Sequence, residues 1–219
     1  MSMATQVSRR SFLIGSASAI GGLSLGFHVP FAEAAAARNA AEVNAWGVIQ
    51  PHDQVVIRIA RSEMGQGTLT GLAQLVAEEL ECDWAKVTTE YPTPGQNLAR
   101  DRVWGNFSTG GSRGIRESHD YVRKGGATAR EVLITAAAAE WKVPASECVA
   151  ANSVITHQPS SRKVSFGKVA TAAAEVTPPK EVALKDPKEW KIAGKPLARL
   201  DTAEKLTGKQ IYGTDLHLP

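Results

Sequence analysis

Two short glycine-containing segments of this chain have residue types that suit anion binding through the backbone. The first loop, residues 61–67 (RSEMGQG), lies between a strand-like run at 55–60 and an amphipathic helical run at 69–80. The second loop, residues 107–113 (FSTGGSR), comes directly before a long helical pattern. Glycine allows close approach of the backbone, and a helix N-terminus offers free N–H groups to negative charge. The sequence therefore predicts two anion-binding helix entries, with Ser112 as the N-cap of the second helix.

Taken alone, each loop is a weak signal. A lone glycine turn after a strand is usually an ordinary tight turn, and glycines before a helix usually form a flexible cap. Glu63 and Glu117 resemble an acid–base pair, but acidic residues near helix starts generally complement the helix dipole. The histidines show no ligand spacing and are expected at the surface or in turns. They are His28, His52, His119, His157 and His217.

Strand and helix patterns around the first loop predict a sheet with a packed helix. Runs of β-branched residues at 46–50 and 54–60 predict a hairpin, and residues 86–91 predict another short strand. A polar loop is expected at 92–106. The helical run after the first loop has one apolar face, which suits packing on a sheet. That face consists of Leu69, Leu72, Val76 and Leu80.

The second loop should lead into a long helix at residues 116–141. Gly125 and Gly126 are expected to interrupt this helix, because an interior glycine costs about 0.5–1 kcal/mol relative to alanine. A small hairpin is predicted at 148–157, followed by a short helix that begins at residue 165. These elements predict an α+β fold with a mixed sheet and packed helices.

Composition shifts divide the chain into four parts. Residues 40–177 form the predicted α+β domain. Residues 178–204 contain four prolines and lack sustained periodicity, which predicts an extended connector lying on another surface. Residues 205–219 predict the opening strand of a further domain, and residues 1–34 have the pattern of an export signal.

The N-terminal segment carries the paired arginines Arg9 and Arg10, an apolar stretch to about residue 31, and small residues before residue 35. This order is typical of a twin-arginine signal, so we expect a periplasmic protein. Interrupting glycines and Pro30 make a permanent transmembrane helix the weaker alternative. Twin-arginine export generally carries proteins already folded in the cytoplasm, often around a cofactor.

Charge and cysteine content exclude several classes of function. The formal net charge is only +3, which does not indicate a nucleic-acid or membrane surface. Cys82 and Cys148 have no CxxC spacing and no histidine cluster beside them, so this chain alone cannot bind an iron–sulfur cluster or zinc. The sequence leaves two alternatives open for these cysteines: a disulfide between them, or two buried free thiols. Any redox carriers of this kind are expected on other chains.

Several motifs occur along the chain in a specific order. They are the twin-arginine signal, EMGQG at 63–67, TGGS at 109–112, KDP at 185–187, GKPLARLD at 194–201, KLTG at 205–208 and YGTD at 212–215. Together they resemble the molybdopterin-binding large subunit of the xanthine oxidase family. More narrowly, the chain is similar to the exported isoquinoline 1-oxidoreductase, nicotinate dehydrogenase and membrane-associated aldehyde dehydrogenase type.

The resemblance implies that both loops bind one molybdenum–molybdopterin cytosine dinucleotide cofactor. The glycine backbone and the Gln66 amide of the first loop would contact the pterin dithiolene and phosphate region, and the second loop would hold the pterin and the pyrophosphate. The cofactor-binding residues implied are Met64, Gly65, Gln66, Gly67, Ser108, Thr109, Gly110, Gly111 and Ser112. No metal ligand is assigned to this chain.

The implied chemistry is hydroxylation of an N-heteroaromatic or aldehyde substrate with water as the oxygen source. In the family, a glutamate general base does the proton transfer, and it lies in a C-terminal region that this chain lacks. Neither Glu63 nor Glu117 therefore receives that role, and no catalytic residue is assigned. The alternative is an exported, non-enzymatic binding or assembly module that reuses this fold.

The resemblance also implies partners. They are the remaining part of the molybdenum subunit, starting with a hammerhead-like domain near residue 205, a small 2Fe–2S subunit and a cytochrome c subunit of the subfamily. Iron–sulfur clusters and haem would lie only on these chains, and membrane association would come through them. Because family subunits are several times longer, the chain is expected to be either a fragment or a split subunit, with the split form slightly favoured.

Overall fold

The computed structural model describes residues 41–217. The predicted export signal lies outside these residues. Residues up to 210 belong to one compact unit, and residues 211–217 are grouped apart from it. Within the described range, no helix is both long and apolar enough to span a bilayer.

A four-stranded mixed sheet forms the first half of the unit. The order is β1-β2-β3-β4, with the first three strands antiparallel and β4 parallel to β3. The parallel pair arises because a helix crosses over between β3 and β4. This confirms the predicted hairpin, the short strand and the mixed sheet, whereas β1 was not predicted. The strands are β1 Ala41–Asn44, β2 Gly47–Ile49, β3 Val55–Arg58 and β4 Val87–Glu90.

The crossover helix α1 spans Thr68–Leu80 and packs with its predicted apolar face inward. Leu72 and Leu80 are each 1% exposed, and they contribute to one core with Ile49 and Ile57 of the sheet. The 3.6-residue spacing of the apolar side chains therefore positions α1 as predicted. Its N-terminal end directly follows the first loop.

The segment predicted as a polar loop at 92–106 contains a short helix, α2, at Pro94–Leu98. Thr93 and Gln96 form a reciprocal capping box at its start, a pattern that the sequence reading missed. The side chain of Asn97 then donates to the Gly105 carbonyl at 2.8 Å, and Trp104 is buried. The loop is therefore fixed by local hydrogen bonds.

The predicted long helix is divided into α3, Arg113–Arg116, and α4, His119–Trp141. The break lies at residues 117–118 and not at the glycines. Ser118 is fully buried, and its Oγ accepts hydrogen bonds from Arg61 Nε at 3.0 Å and Tyr121 Oη at 2.7 Å. The predicted start of the helix was therefore wrong because a tertiary contact ends the first turn.

Helix α4 continues through Gly125 and Gly126, so the predicted interruption was wrong. A Cβ atom at Gly125 would lie 2.6 Å from Trp46 Cδ1, and one at Gly126 would lie 2.5 Å from the Val76 carbonyl oxygen. Close packing against β1–β2 and α1 requires glycine at both positions. This packing outweighs the low helix propensity of glycine.

A three-stranded antiparallel sheet and one helix follow, which confirms the predicted hairpin and helix. The elements are β5 Cys148–Ala151, β6 Val154–His157, β7 Arg162–Ser165 and α5 Phe166–Ala174. His157 was expected at the surface but is 5% exposed. Its ring nitrogens lie 2.8 Å from Glu147 Oε2 and 2.6 Å from Ser160 Oγ, so it is part of the packed hairpin.

Residues 178–204 have little regular structure and lie along α1 and α4 of the same unit. Lys185 N donates to Glu79 and Ile192 N donates to Glu78, and both of these carboxylates are buried on α1. Helix α6, Thr202–Leu206, and a 3-10 turn at Gly213–Asp215 occupy the region where an opening strand was predicted. A strand needs a partner for its backbone groups, and these residues adopt turns instead.

Both cysteines are free and buried. Burial raises the pKa of each thiol above its ordinary value. Of the two alternatives left open by the sequence, the structure therefore has two free thiols and no disulfide. Among residues 41–217, no group of three or more potential ligands could hold a metal ion.

Candidate functional site

The structure brings the first and second loops together at the N-terminal end of α1. The Ser62 amide donates to Thr109 Oγ1 at 2.9 Å. The guanidinium of Arg61 donates to Asn106 Oδ1 at 3.2 Å and to the carbonyl oxygen of Ser108. Segments more than 40 residues apart thus form one continuous surface.

Arg61 is the buried connection beneath this surface. It is only 5% exposed, and besides its contacts with the second loop it donates to Ser118 Oγ. Glu117 lies 3.8 Å from the same guanidinium. A buried charge is tolerated when hydrogen bonds replace its lost hydration. Arg61 therefore fixes the first loop to the second loop and to the start of α4.

The Glu63 carboxylate occupies the N-terminal end of α1. Oε1 accepts from the amides of Gly65 at 2.7 Å and Gly67 at 3.0 Å, and Oε2 accepts from Leu69 N at 3.0 Å. Burial raises the pKa of Glu63, but these three hydrogen bonds outweigh burial and leave the pKa below its ordinary value. The prediction of a free anion site at this helix entry was therefore wrong, because an internal anion fills it.

Gln66 closes the turn of the first loop. Its Nε2 donates to the Ser62 carbonyl at 2.8 Å, and its Oε1 accepts from Met64 N at 2.5 Å. Gly65 and Gly67 both have positive φ angles, 99° and 85°, which only glycine adopts without strain. The loop is thus shaped by its own side chains, and the Met64 side chain points outward with 68% exposure.

The second loop offers its backbone to solvent. Within the described part of the chain, the amides of Thr109, Gly110, Gly111 and Ser112 have no hydrogen-bond acceptor. Ser112 stands at the start of α3 with φ of 58°, and its hydroxyl makes no capping bond. The predicted N-cap position is therefore confirmed, but among the described residues the hydroxyl makes no capping hydrogen bond. What remains is a run of four amides without an acceptor, three of them on exposed residues.

Two arginines flank this run of amides. Arg113 and Arg116 are 45% and 70% exposed, and their ion pairs to Glu117 are long, at 3.7 and 3.8 Å. One carboxylate thus faces three guanidinium groups when Arg61 is included. The second loop fits an anionic group, because amide donors and excess positive charge coincide there.

A pocket of about 150 Å³ opens beside both loops. The hydroxyl of Tyr91 on its rim accepts from Glu63 N at 3.2 Å, so the pocket and the first loop share a wall. Its surface is mainly apolar and aromatic. The lining residues are Ile59, Ala60, Ser62, Tyr91, Pro92 and Phe107.

A family model described as the molybdopterin cofactor-binding domain matches residues 5–212. The chain belongs to this family. The assignment confirms the resemblance inferred from the motifs, and with it a domain that binds the molybdenum–molybdopterin cofactor. The observed helices and sheets confirm the predicted α+β class.

Two curated relatives match nearly the whole chain. The membrane-bound aldehyde dehydrogenase (pyrroloquinoline-quinone) of Gluconacetobacter polyoxogenes is 30% identical over 95% of this chain and 28% of its own length. Isoquinoline 1-oxidoreductase subunit beta of Brevundimonas diminuta is 28% identical over 98% of this chain and 32% of its own length. The chain thus spans about a third of the length of these relatives.

The solved structures that match this chain cover a smaller part of it. The Cu,Mo-CO dehydrogenase in its carbon monoxide reduced state is 21% identical with a TM-score of 0.42, over 57% of this chain and 15% of that chain. Quinoline 2-oxidoreductase from Pseudomonas putida 86 is 18% identical with a TM-score of 0.38, over the same shares.

The sequence patterns gave no role to four residues of this molybdopterin-binding domain that the structure places at the loops. They are Arg61, Tyr91, Asn106 and Arg199. Arg61 gave a usable signal, because a charged residue directly after an apolar strand is a candidate for a buried contact. Arg199 lies in the GKPLARLD motif but 134 residues from its partner Gly65, and no local pattern reveals that contact.

Proposed function

We propose that this domain holds the anionic part of a molybdenum–molybdopterin cytosine dinucleotide cofactor, chiefly through residues 108–112. One observation carries the proposal: four consecutive amides, at residues 109–112, have no acceptor among the described residues and lie next to Arg113 and Arg116. Phosphate oxygens accept hydrogen bonds from such amides and from arginine. Membership of the molybdopterin-binding family supports the choice of ligand.

The first loop has a different role in this proposal. Because Glu63 already occupies the α1 end and binds the Gly65 and Gly67 amides, residues 64–67 would contact the cofactor chiefly through the exposed Met64 side chain. The apolar pocket next to Ser62 has space for part of a flat ring system. The two loops would thus divide the cofactor between an aromatic part and an anionic part.

We infer that the complete protein is an exported molybdenum hydroxylase that acts on an aldehyde or an N-heteroaromatic substrate. Two relatives, an aldehyde dehydrogenase and an isoquinoline oxidoreductase, support this class of substrate. When bound, the cofactor supplies the redox centre at which an oxygen from water is transferred to carbon. The residues of this chain bind and orient that group, and the general base would come from the remaining part of the subunit.

The proposed assembly includes a 2Fe–2S subunit and a cytochrome c subunit, through which the complex would reach a membrane. The word "subunit" in the name of the isoquinoline relative supports a multi-chain enzyme. Export by the twin-arginine route rests on Arg9, Arg10 and the apolar stretch after them. A periplasmic location would suit a protein that folds around its cofactor before export.

The test is cofactor content of the isolated complex after removal of both flanking arginines. The double variant Arg113→Ala/Arg116→Ala should lower bound molybdenum and releasable cytosine nucleotide by about tenfold or more, since each charged hydrogen bond contributes roughly 1.5–3 kcal/mol. Arg162→Ala/Lys163→Ala on β7 removes the same charge away from the loop and should leave the content unchanged.

Equal cofactor content in both double variants would contradict the role of the second loop. A wild-type complex without molybdenum and without cytosine nucleotide would instead favour the assembly-module alternative. A complex that contains molybdenum with a different nucleotide would correct only the proposed nucleotide of the cofactor.

A further inference from the structure

A cluster of charged side chains from the C-terminal part of the unit contacts the first loop. Arg199 Nη1 donates to the Gly65 carbonyl at 2.9 Å, and Nη2 donates to Glu63 Oε1 at 3.0 Å. The guanidinium therefore bridges a side chain and a backbone carbonyl on either side of Met64. These contacts join residues that lie more than 130 positions apart.

Arg199 is itself held in place. Asp201 accepts from it twice, at Oδ1 from Nε at 2.9 Å and at Oδ2 from Nη2 at 2.8 Å. Lys205 donates to the same Asp201 carboxylate at 2.5 Å. A two-point bond between planar groups fixes the direction of the guanidinium as well as its position. The side chain of Asp201 is only 9% exposed, whereas that of Arg199 is 36% exposed.

A backbone contact anchors the same segment to α1. The Leu200 amide donates to Thr70 Oγ1 at 3.1 Å, in the first turn of the helix. The segment thus touches both the loop and the helix that follows it. Movement of residues 199–201 would displace both together.

We propose that Arg199 and Asp201 form a clamp that holds the first loop in its cofactor-binding conformation. Glu63 carries a negative charge next to the surface that an anionic cofactor approaches. Arg199 offsets that charge and Lys205 balances the charge of Asp201, so the net charge of the four side chains is zero. Only the effect of the clamp on cofactor binding rests on the proposed function, and its effect on the first loop does not.

Arg199 is in this view a positioning residue, because it acts through Glu63 and Gly65. Without it, the Glu63 carboxylate keeps its three amide donors but loses its only cationic partner among the described residues. The Gly65 carbonyl also loses its donor. The loop should then open more often, and the uncompensated charge should repel an anionic ligand.

Hydrogen–deuterium exchange of the full chain in its isolated complex tests the clamp without reference to activity. In Arg199→Ala, amides within residues 61–70 should exchange about tenfold faster, whereas those of α4 should stay unchanged. Arg199→Lys keeps one positive charge but loses the two-point geometry, so its exchange should lie between alanine and wild type. Arg162→Ala serves as the matched control.

Molybdenum content of the same samples gives the second readout, and it should fall in the order wild type, lysine, alanine. Unchanged exchange at 61–70 in both variants would overturn the clamp and leave the role of residues 108–112 intact. An equal increase of exchange throughout the unit in both variants would also overturn it, because Arg199 would then stabilise the fold generally. Faster local exchange with undiminished molybdenum would overturn the link between the first loop and the cofactor.

Discussion

Three glutamates, two at the loops and one on α1, show that one residue type serves different structural purposes. Glu63 complements the N-terminal end of α1, as expected for an acidic residue near a helix start. Glu117 does not, since it pairs with arginines on its own turn. Glu78, near the other end of α1, is 1% exposed and accepts hydrogen bonds from the connector. The surroundings of each carboxylate decide its role.

Replacing Glu78 by alanine should strongly destabilise the unit. Its carboxylate pairs with Lys185 and accepts from the amides of Lys191, Ile192 and Ala193. Removing the carboxylate leaves these amides without their acceptor, which costs about 1–3 kcal/mol for each buried group, whereas Lys185 keeps Glu81 as a partner at 2.8 Å. Urea unfolding followed by circular dichroism measures the loss.

The matched control for that substitution is Glu140→Ala, at an exposed position of α4. It should change the free energy of unfolding by no more than about 0.5 kcal/mol. A similar small effect for Glu78→Ala would show that the connector is not held by this carboxylate.

Among the elements, the contact between α1 and α4 determines how the unit packs. Glycines at 125 and 126 allow α4 to approach the β1–β2 hairpin and α1. Arg123 Nε of α4 then donates to the carboxylate of the fully buried Glu79 of α1 at 2.8 Å. Arg130 Nη1 of α4 donates to the backbone carbonyl of Glu79, also at 2.8 Å. Close approach and buried charge pairing therefore depend on each other.

The substitution Gly126→Ala should destabilise the unit although alanine favours helices by about 0.5–1 kcal/mol. The added methyl group would lie 2.5 Å from the Val76 carbonyl oxygen, so α1 and α4 must separate. Overpacking of this kind typically costs about 1–3 kcal/mol, and thermal unfolding should show a lower midpoint.

Gly95→Ala in α2 provides the comparison, because its nearest neighbour would be Thr93 Oγ1 at 3.9 Å. That variant should unfold at the wild-type temperature or slightly above. An unchanged or higher midpoint for Gly126→Ala would contradict the close contact.

At the level of the whole unit, ionised carboxylates connect segments that are distant in the sequence. Glu42 binds Arg58 and Arg100, Glu63 binds Arg199, and Glu78 binds Lys185. Burial raises the pKa of each of these glutamates, but hydrogen bonds and cations outweigh it and leave the pKa below the ordinary value. The fold therefore depends on these groups being charged.

Acid should weaken the fold over a defined range of pH. The hydrogen bond from Arg199, with Lys205 nearby, lowers the pKa of Asp201 from 3.8 to about 2. A carboxylate whose pKa is lower in the folded state than in the unfolded state stabilises the fold fully at pH values above its unfolded-state pKa. This contribution is lost as the pH falls through the folded-state pKa. The free energy of unfolding should thus be nearly constant from about pH 7 to 5 and fall below about pH 4.5.

Urea titrations at a series of pH values measure this dependence. Asp201→Asn should be less stable at neutral pH but should lose less stability between about pH 4 and 2.5, because it has no carboxylate to protonate there. Equal slopes for the variant and the wild type would show that Asp201 is not a source of the acid sensitivity.

Much of the local structure was predictable because it follows from periodicity within short segments. The β2–β3 hairpin, the buried face of α1 and the β5–β6 hairpin all lie where the patterns indicate. The capping box at Thr93 also depends only on neighbouring residues. Errors in α3 and α4 came from contacts with Arg61, Trp46 and Val76, which no local window contains.

By itself, the sequence determined the α+β class, the two loops and the family, because these depend on local periodicity and on short motifs in a specific order. Only the tertiary structure decided that Glu63 fills the α1 entry, that the second loop keeps its amides free, and that Arg199 closes over the first loop. The physical reason is distance along the chain. Burial and pairing of a charge depend on groups that folding brings together from remote positions, and such neighbours leave no pattern in the residues around the charge itself.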